Sequence, residues 1–479
     1  MRVGATERAG RARRAEQAAR ALRDAAPAVF WLDDPQAPVR LRPLELAESA
    51  DLVVVGGGYT GLWTAWQALA RDPGRDIVLV EGGRCGDQAS GRNGGFASAS
   101  LTHGFANGTA RWPEEMATLD RLGAENLAAI GETVRAHGVD CNWEPTGELS
   151  VAAASHEAAD LAEVATAMQA AGHDVRLLDR DGVRAEVNSP TYLAGLYEPD
   201  ATAMVEPARL AWGLRRLCVE AGVRIYEGTQ ATGVRRDGAG IVVRTSRGHV
   251  RARQAVLATN AFPSLIRRLR PRTVPVYDYV LVTEPLTAEQ KAVIGWANRQ
   301  GVGESSNMFH YYRLTRDDRI LWGGYDAVYY FGSRIDPRLE QLGPTHARLA
   351  EHFARTFPQL DGIRFTHRWA GVIDTCTRFT AFYGTALAGR AAYALGFTGL
   401  GVGATRFAAD VVLDLLSGEP TERTRLRMVR EQPLPFPPEP LRSAGIGLTR
   451  WSMARADADG GRRNLWLRTL DGLGLGFDS

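Results

Sequence analysis

The sequence predicts an α/β (α+β) fold, a Rossmann-like βαβ nucleotide-binding domain interrupted by an inserted antiparallel-sheet domain. Three observations predict it. First, DLVVV (51–55), the glycine turn GGGYTG, the helical stretch LWTAWQALA and a second apolar run, RDIVLVEGG, form one βαβ unit. Its strands are continuously apolar, which suits a parallel sheet covered on both faces. Second, strand-like segments at PVYDYVLVTEPL, NMFHYYRLT and RILWGGYDAVYYF follow one another without intervening helices. Third, a late glycine segment, GFTGLGVG, opens the apolar helix ATRFAADVVLDLLSG, so the chain returns to βα texture.

Taken in order, residues 1–50 form an N-terminal extension. RAGRARRAEQAARALRDAA reads as an exposed surface helix, and the Pro-rich stretch 26–50 reads as an extended arm reaching the first strand. A helix over WPEEMATLDRLGAENLAAIGETVRAHG follows the βαβ unit, then a strand at GELSVAA and a helix over HEAADLAEVATAMQAAG. PARLAWGLRRLCVEAG is amphipathic, and 222–261 reads as several strands. The strands at 307–315 and 319–331 are hinged by the turn at Asp317–Asp318. These readings divide the chain into a nucleotide-binding domain (51–140, 200–262 and 371–425), a substrate domain (141–199 and 263–370) and a tail (426–479) holding PLPFPPEP and two Arg-studded amphipathic pieces.

Composition removes several functional classes. The 479 residues are 45% hydrophobic and 23% charged, which is too apolar for a disordered chain. With 57 Lys+Arg against 55 Asp+Glu the formal charge is +2, so no nucleic-acid partner is expected. Lys291 is the sole lysine, so amine-nucleophile chemistry rests on that residue alone. Cys85, Cys141, Cys218 and Cys376 are far apart and form no CxxC pair, which disfavours a disulfide framework or a metal site and favours a reducing, cytoplasmic setting. No window approaches ~18 consecutive apolar residues, so no transmembrane segment is expected.

The motif Gly56-x-Gly58-x-x-Gly61 stands directly between strand and helix. Gly56 permits the tight turn, Gly58 lets backbone approach a pyrophosphate, and Gly61 lets helix and strand pack closely. With Tyr59 and Thr60 these residues open the helix, whose N–H groups point at the diphosphate. Glu81 ends the second strand, where an acid binds ribose hydroxyls and disfavours a 2′-phosphate. FAD and NAD share this fingerprint. The small-residue stretch GGRCGDQASGRNGGFASASLTHG permits a large planar ring against backbone, and the second glycine turn places a helix N-terminus beside an electron-rich ring.

VVVGGGYTG, ASGRNGGF, VLATNA, TEPL, RILWGG and GFTGLGVGATRFAADVVLDLL together resemble the D-amino-acid-oxidase-type FAD superfamily. Within it they resemble the branch of glycine, sarcosine and gamma-glutamylputrescine oxidases, nearest the last of these, over about residues 51–420. The resemblance implies that Gly56, Gly58, Gly61, Glu81, Gly82 and Arg84 hold the ADP half, with Val234 meeting adenine through its backbone. It puts Ser90, Gly91, Arg92, Asn93, Gly94, Gly95 and Phe96 beside the flavin, together with Asn260 of VLATNA. Gly399, Leu400, Gly401, Val402, Gly403, Ala404 and Thr405 would cap its pyrimidine end. No cysteine or histidine matches an attachment motif, so the FAD is expected to be non-covalent.

The substrate side departs from the family pattern. Alpha-amino-acid oxidases of this fold grip the substrate carboxylate with an Arg, and the corresponding stretch here is Gly371-Val372-Ile373-Asp374. Asp374 is therefore expected to attract an ammonium, pointing to a small-molecule amine; the alternative is that Asp374 caps a turn with Thr375 and Thr377. His103 is the candidate for proton handling. Strand parity groups Asn307, Phe309, Tyr311 and Arg313 on one face, with His310 and Tyr312 on the other, so Tyr311 and Arg313 join the catalytic candidates. Lys291 falls in helical, exposed-looking sequence, leaving oxygen or another electron acceptor open. The reading is an FAD-dependent amine oxidoreductase reoxidised by oxygen. Its rivals are a dehydrogenase feeding a quinone or carrier protein, and a flavoprotein whose FAD is structural. The tail is expected to pack on the enzyme's own surface or at a homodimer interface rather than on a membrane.

Overall fold

Burial on both faces explains the first sheet. In the computed structural model, which describes residues 2–475, strand Ala47–Val55 lies at its centre with Leu52–Val55 buried. His249–Leu257 and Ile77–Val80 flank it in parallel. Ala391–Leu395 and Arg224–Tyr226 extend the sheet on either side, and Phe382–Ala386 closes one edge antiparallel. Val55 pairs with both Leu257 and Val80, so three strands end level and the chain leaves through the Gly56 turn at their carboxyl ends. That is the edge where open α/β sheets bind ligands.

Helix Tyr59–Arg71 is buried around most of its circumference, from Tyr59 through Ala65 and again at Gln67, Ala68 and Leu69, as suits a helix enclosed between a sheet and other helices. It packs against helices Pro207–Glu220 and Gly401–Ser417 over one face of the sheet. The opposite face is covered by the hairpin of Ala231–Asp237 and Gly240–Thr245 with the buried cluster around Val53, Val243 and Tyr393.

The second sheet has nine strands, the longest being Val274–Thr283 and Phe365–Thr375, paired antiparallel along their length. Val274–Thr283 alternates. Tyr277, Tyr279 and Leu281 enter a core with Tyr312, Trp322 and Phe353, beneath helix Gly343–Thr356. Val276 and Asp278 therefore face the other way, toward the first sheet's carboxyl edge. A two-stranded ladder, Phe96–Ser98 with Thr202–Met204, fills the angle between the sheets.

Several local expectations are corrected. One pair in the second sheet, Gly301–Glu304 with Glu148–Ala152, is parallel. The first strand begins at Ala47 rather than Asp51, and the late helix begins at Gly401, inside its glycine segment. Residues 371–375 continue a strand of the second sheet past the boundary drawn at 370. The N-terminal helix Arg2–Ala21 is not merely exposed, because Ala18 is buried against helix Gly343–Thr356. The tail folds into helices Leu441–Ala458 and Leu465–Gly472, tied together by Trp466 Nε1 donating to Thr449 Oγ1 at 2.9 Å.

Candidate active site

The glycine turn is compressed by its neighbours. Gly56 sits at φ +113°, and a methyl group there would strike the Ala258 carbonyl oxygen. A methyl on Gly61 would overlap the Gly56 carbonyl oxygen, so helix and turn touch only because both positions lack a side chain. Gly58 has ordinary extended backbone, and a methyl there would lie 2.9 Å from Ser90 Oγ, which accepts the Tyr59 N–H at 2.9 Å. The Thr60 and Gly61 amides remain among the outward-pointing donors of the helix's first turn.

Glu81 accepts the Gly57 and Gly83 amides, each at 2.7 Å; burial pushes its carboxyl up and the two amides pull it back. Gly82 lies against Gln230, and the Arg84 guanidinium binds the Pro38 carbonyl of the N-terminal arm. Val234 is half-buried in the hairpin strand Ala231–Asp237.

The ASGRNGGF segment forms a rigid shelf. Asn93 Nδ2 donates to the Ala89 and Ser90 carbonyls, and its Oδ1 accepts the Gly95 amide at 2.8 Å. Two indoles hold the shelf from outside: Trp31 Nε1 donates to Asn93 O and Trp369 Nε1 to Arg92 O, both at 2.9 Å. Gly91 packs against the Gly86 carbonyl and Gly95, at φ +80°, against that of Val205, so neither tolerates a side chain. Facing the shelf, Gly403 packs against the Ser98 carbonyl and holds the helix Gly401–Ser417 so that its first turn opens toward the shelf.

Between shelf and helix lies a cavity of about 1530 Å³. Small-molecule pockets run to roughly 300–1,000 Å³, so this one has room for a large cofactor and a substrate together. Of the residues selected from sequence, Gly58, Tyr59, Thr60, Ser90, Arg92, Asn93, Gly94, Phe96 and Asn260 line it from the nucleotide side. Gly399, Leu400, Gly401, Val402 and Thr405 line it from the late helix, and His103, Tyr311 and Asp374 also reach it. Gly56, Gly61, Glu81, Gly82, Arg84, Gly91, Gly95, Val234, Gly403, Ala404 and Arg313 do not line it. The glycine cradle at the strand ends and the planar shelf facing a helix N-terminus fit an FAD.

Two catalytic expectations change, those for Arg313 and Asp374. Arg313 is fully buried behind the shelf, donating to the Val205 carbonyl at 2.6 Å and to the Gly95 carbonyl at 3.4 Å, with Glu144 3.6 Å away. It braces the shelf from below and cannot reach a substrate. Asp374 is buried with its oxygens taken by the Gly396 amide at 2.5 Å and the Phe397 amide at 3.1 Å. Its charge is spent on the turn before the late helix rather than offered to an ammonium. It does cap a turn, though not the one at Thr375 and Thr377. Burial nonetheless pushes its carboxyl up to about 7. His103, at φ +61°, has Nε2 3.0 Å from the Thr398 carbonyl, so that nitrogen carries the proton; burial lowers its pKa. His103 therefore stands neutral beside the glycine turn.

Tyr311 lines the cavity, and its hydroxyl pairs with Asp278, a residue not among the sequence candidates. Its ring lies against Gly94, where a methyl group would come within 2.6 Å of it, and its hydroxyl donates to Asp278 Oδ2. Asp278 lines the cavity, and burial pushes its carboxyl up to about 6, partly offset by the Tyr311 hydroxyl and the Gly324 and Tyr279 amides. The signal was present in VPVYDYVLV: an acid between two tyrosines must face opposite to them, and an acid on an otherwise apolar strand demands a reason. Farther along the same floor, Glu148 and Glu198 are register partners on adjacent strands. Burial and the neighbouring Glu148 push Glu198 up to about 7. The nearby Arg92 guanidinium is engaged by Glu340 at 2.6 Å and the Asp87 carbonyl at 2.7 Å.

Residues 51–415 match the sequence model of the family described as FAD dependent oxidoreductase. The chain is 31% identical to gamma-glutamylputrescine oxidoreductase of Escherichia coli (strain K12), over 78% of this chain and 84% of that protein. It is 26% identical to a probable oxidoreductase OrdL of Haemophilus influenzae, over 81% of this chain and 88% of that one. The crystal structure of glycine oxidase from Geobacillus kaustophilus superposes with a TM-score of 0.66, at 20% identity, over 80% of this chain and 99% of that one.

Proposed function

The chain belongs to the DAO family of FAD-dependent oxidoreductases, and from that premise we propose that it oxidises the C–N bond of a primary or secondary amine to an imine. Bound FAD supplies the two-electron acceptor for the hydride alpha to nitrogen. The Thr60 and Gly61 amides at the helix N-terminus would hold the diphosphate, with Glu81 toward the ribose hydroxyls and the Val234 backbone toward adenine. The Ser90–Phe96 shelf supports the flavin ring while Gly399–Thr405 faces its pyrimidine edge. Cys376 lines the cavity, and what supports non-covalent binding there is that its thiol is engaged, donating to the Thr380 carbonyl at 3.1 Å. Cys85 lies outside the cavity, behind the Gly57 turn. All four cysteines are buried and unpaired, in keeping with a reducing cytoplasm.

One observation carries the choice of an amine over a simple amino acid. The carboxylate of Asp278 lines the cavity and is tied by the Tyr311 hydroxyl, whose ring lies against the Gly94 shelf. It attracts the substrate's ammonium, takes its proton and leaves the free amine whose alpha C–H can react. An alpha-carboxylate at the same place would be repelled. Anaerobic bleaching of the yellow protein against a panel of amines and amino acids tests this. Amines lacking an alpha-carboxylate are expected to bleach fastest, and zwitterionic alpha-amino acids as the best substrates would overturn it. Acid precipitation should release the FAD into the supernatant; a yellow pellet would mean a covalent bond.

A second reading, a dehydrogenase passing electrons to a quinone or carrier, is favoured by the position of Lys291. The sole lysine lies in helix Ala288–Ile294, ion-paired to Asp318 at 2.7 Å and away from the cavity, so no lysine ammonium assists oxygen there. Reoxidation of reduced protein in air, followed by stopped flow, separates the two: fast decay of the reduced flavin supports oxygen, and slow decay supports the dehydrogenase.

A further inference from the structure

The two tail helices are apolar on both sides. Inward, Ile446, Met453, Trp466 and Leu470 line the cavity. Outward, helix Leu441–Ala458 presents Leu441, Ala444, Leu448 and Trp451 in one row, joined by Leu465 from the second helix. The four large side chains of this row are between 42% and 80% exposed. An ordinary surface helix is apolar on one stripe only, so the outer row needs an occupant that the described residues do not supply.

The charges beside the row select the occupant. Residues 441–475 hold six arginines and three aspartates. Asp457 is consumed by the Asn307 and Met308 amides, and Asp471 by Arg463 at 2.6 Å. The exposed Arg455, Arg462 and Arg468 have no ion-pair partner among the described residues. A second copy docking by the same face would set these arginines against each other, because a two-fold contact brings a patch onto itself. An anionic bilayer meets every feature: leucines and one tryptophan enter the headgroup–acyl boundary while arginines meet lipid phosphates. Among the described residues no helix is long and apolar enough to cross a membrane, so the helices lie on the surface rather than span it.

We propose that the outer face of the tail helices, centred on Leu448 and Trp451, docks the enzyme on the surface of an anionic membrane. The test is co-sedimentation of the full-length holoenzyme with vesicles of phosphatidylcholine and phosphatidylglycerol (3:1), with pure phosphatidylcholine as control, at physiological salt. Binding to the anionic vesicles is expected, much weaker binding to the neutral ones, and release as salt rises. Leu448→Glu and Trp451→Glu are expected to weaken partition about tenfold each. Neither side chain lines the cavity, so flavin content and solution activity should be unchanged, which certifies the fold. No binding to the anionic vesicles would overturn the proposal. So would a concentration-dependent dimer abolished by Trp451→Glu, which would make a second copy the occupant.

Discussion

Replacing Asp278 by Asn is the sharpest probe of the active-site reading. It removes the charge while keeping an acceptor oxygen for the Tyr311 hydroxyl, so the floor of the cavity should keep its shape. An ammonium and a carboxylate about 4 Å apart attract by about 4 kcal/mol at an effective dielectric near 20. Asp278 is half-buried on a cavity wall, so solvent screening lowers this to about 2–4 kcal/mol. At about 1.4 kcal/mol per tenfold, the variant should lose about 30- to 1000-fold in kcat/KM for its best amine. The pH dependence should change with it. The carboxyl is pushed up to about 6, so the wild type gains its charge between pH 5 and 7, and kcat/KM should climb about tenfold across that window. The variant has nothing to ionise there and should lose that limb. Steady-state kinetics from pH 5 to 8, with FAD content checked by absorbance, measure both effects. A variant with full FAD, kcat/KM within threefold of wild type and the same acid limb would refute the role given to Asp278.

Other expectations follow from the same contacts. Gly61→Ala should give little yellow soluble protein, because its methyl overlaps a backbone carbonyl; Gly58→Ala meets only the rotatable Ser90 hydroxyl and should yield more folded protein, with weakened FAD binding. Flavin absorbance of the purified variants ranks the two. Asp374→Asn sets an amide nitrogen against one of two backbone N–H donors, so it should lower stability by about 1–3 kcal/mol and leave the substrate KM nearly unchanged. Thermal melts and kinetics on one preparation check this, and a large KM rise would restore Asp374 as a substrate contact. Arg313→Met leaves the Val205 and Gly95 carbonyls without their donor beneath the shelf, while Glu144 keeps its ion pair with Arg299. Melting temperature and FAD occupancy should fall together, which differential scanning fluorimetry with flavin emission reads directly.

The nucleotide half was legible because its constraints are local. Gly56, Gly61 and Gly95 are dictated by carbonyls lying where a side chain would sit, and such positions leave a mark in the sequence. The substrate half was less legible because its roles are settled by which face of a strand or turn meets the cavity. Arg313 and Tyr311 share a strand face, yet one ends beneath the shelf and the other beside it, since the shelf crosses the strand between them. Asp374 was chosen from its place in an aligned stretch, but two amides across the turn at Gly396 claimed its charge. Asp278 stands between two tyrosines whose aromatic rings mark a core strand, and only the period of two sets it on the opposite face. The tail's role as cavity wall rests on contacts more than a hundred residues apart, such as Asp457 with Asn307, which periodicity cannot reveal.

The N-terminal arm has a consequence for how the chain is made. Ala26 exchanges backbone hydrogen bonds with Thr366 and Arg368, Trp31 holds Asn93, and Leu41 and Leu44 donate to Glu227 and Thr229. Hardly any of these partners is near in sequence, so the arm, synthesised first, has little to fold against until residue 368 has left the ribosome. It then fastens both sheets and the shelf at once. Closing contacts of such long range slows folding and leaves apolar surface open meanwhile. A shortened gene starting at residue 51, where the family match begins, would remove the fastening and leave Trp31's place beside Asn93 empty. Such a product would also lose Ala47–Ala50 of the central strand and should fail to hold its cofactor, so an expressed chain should keep the arm.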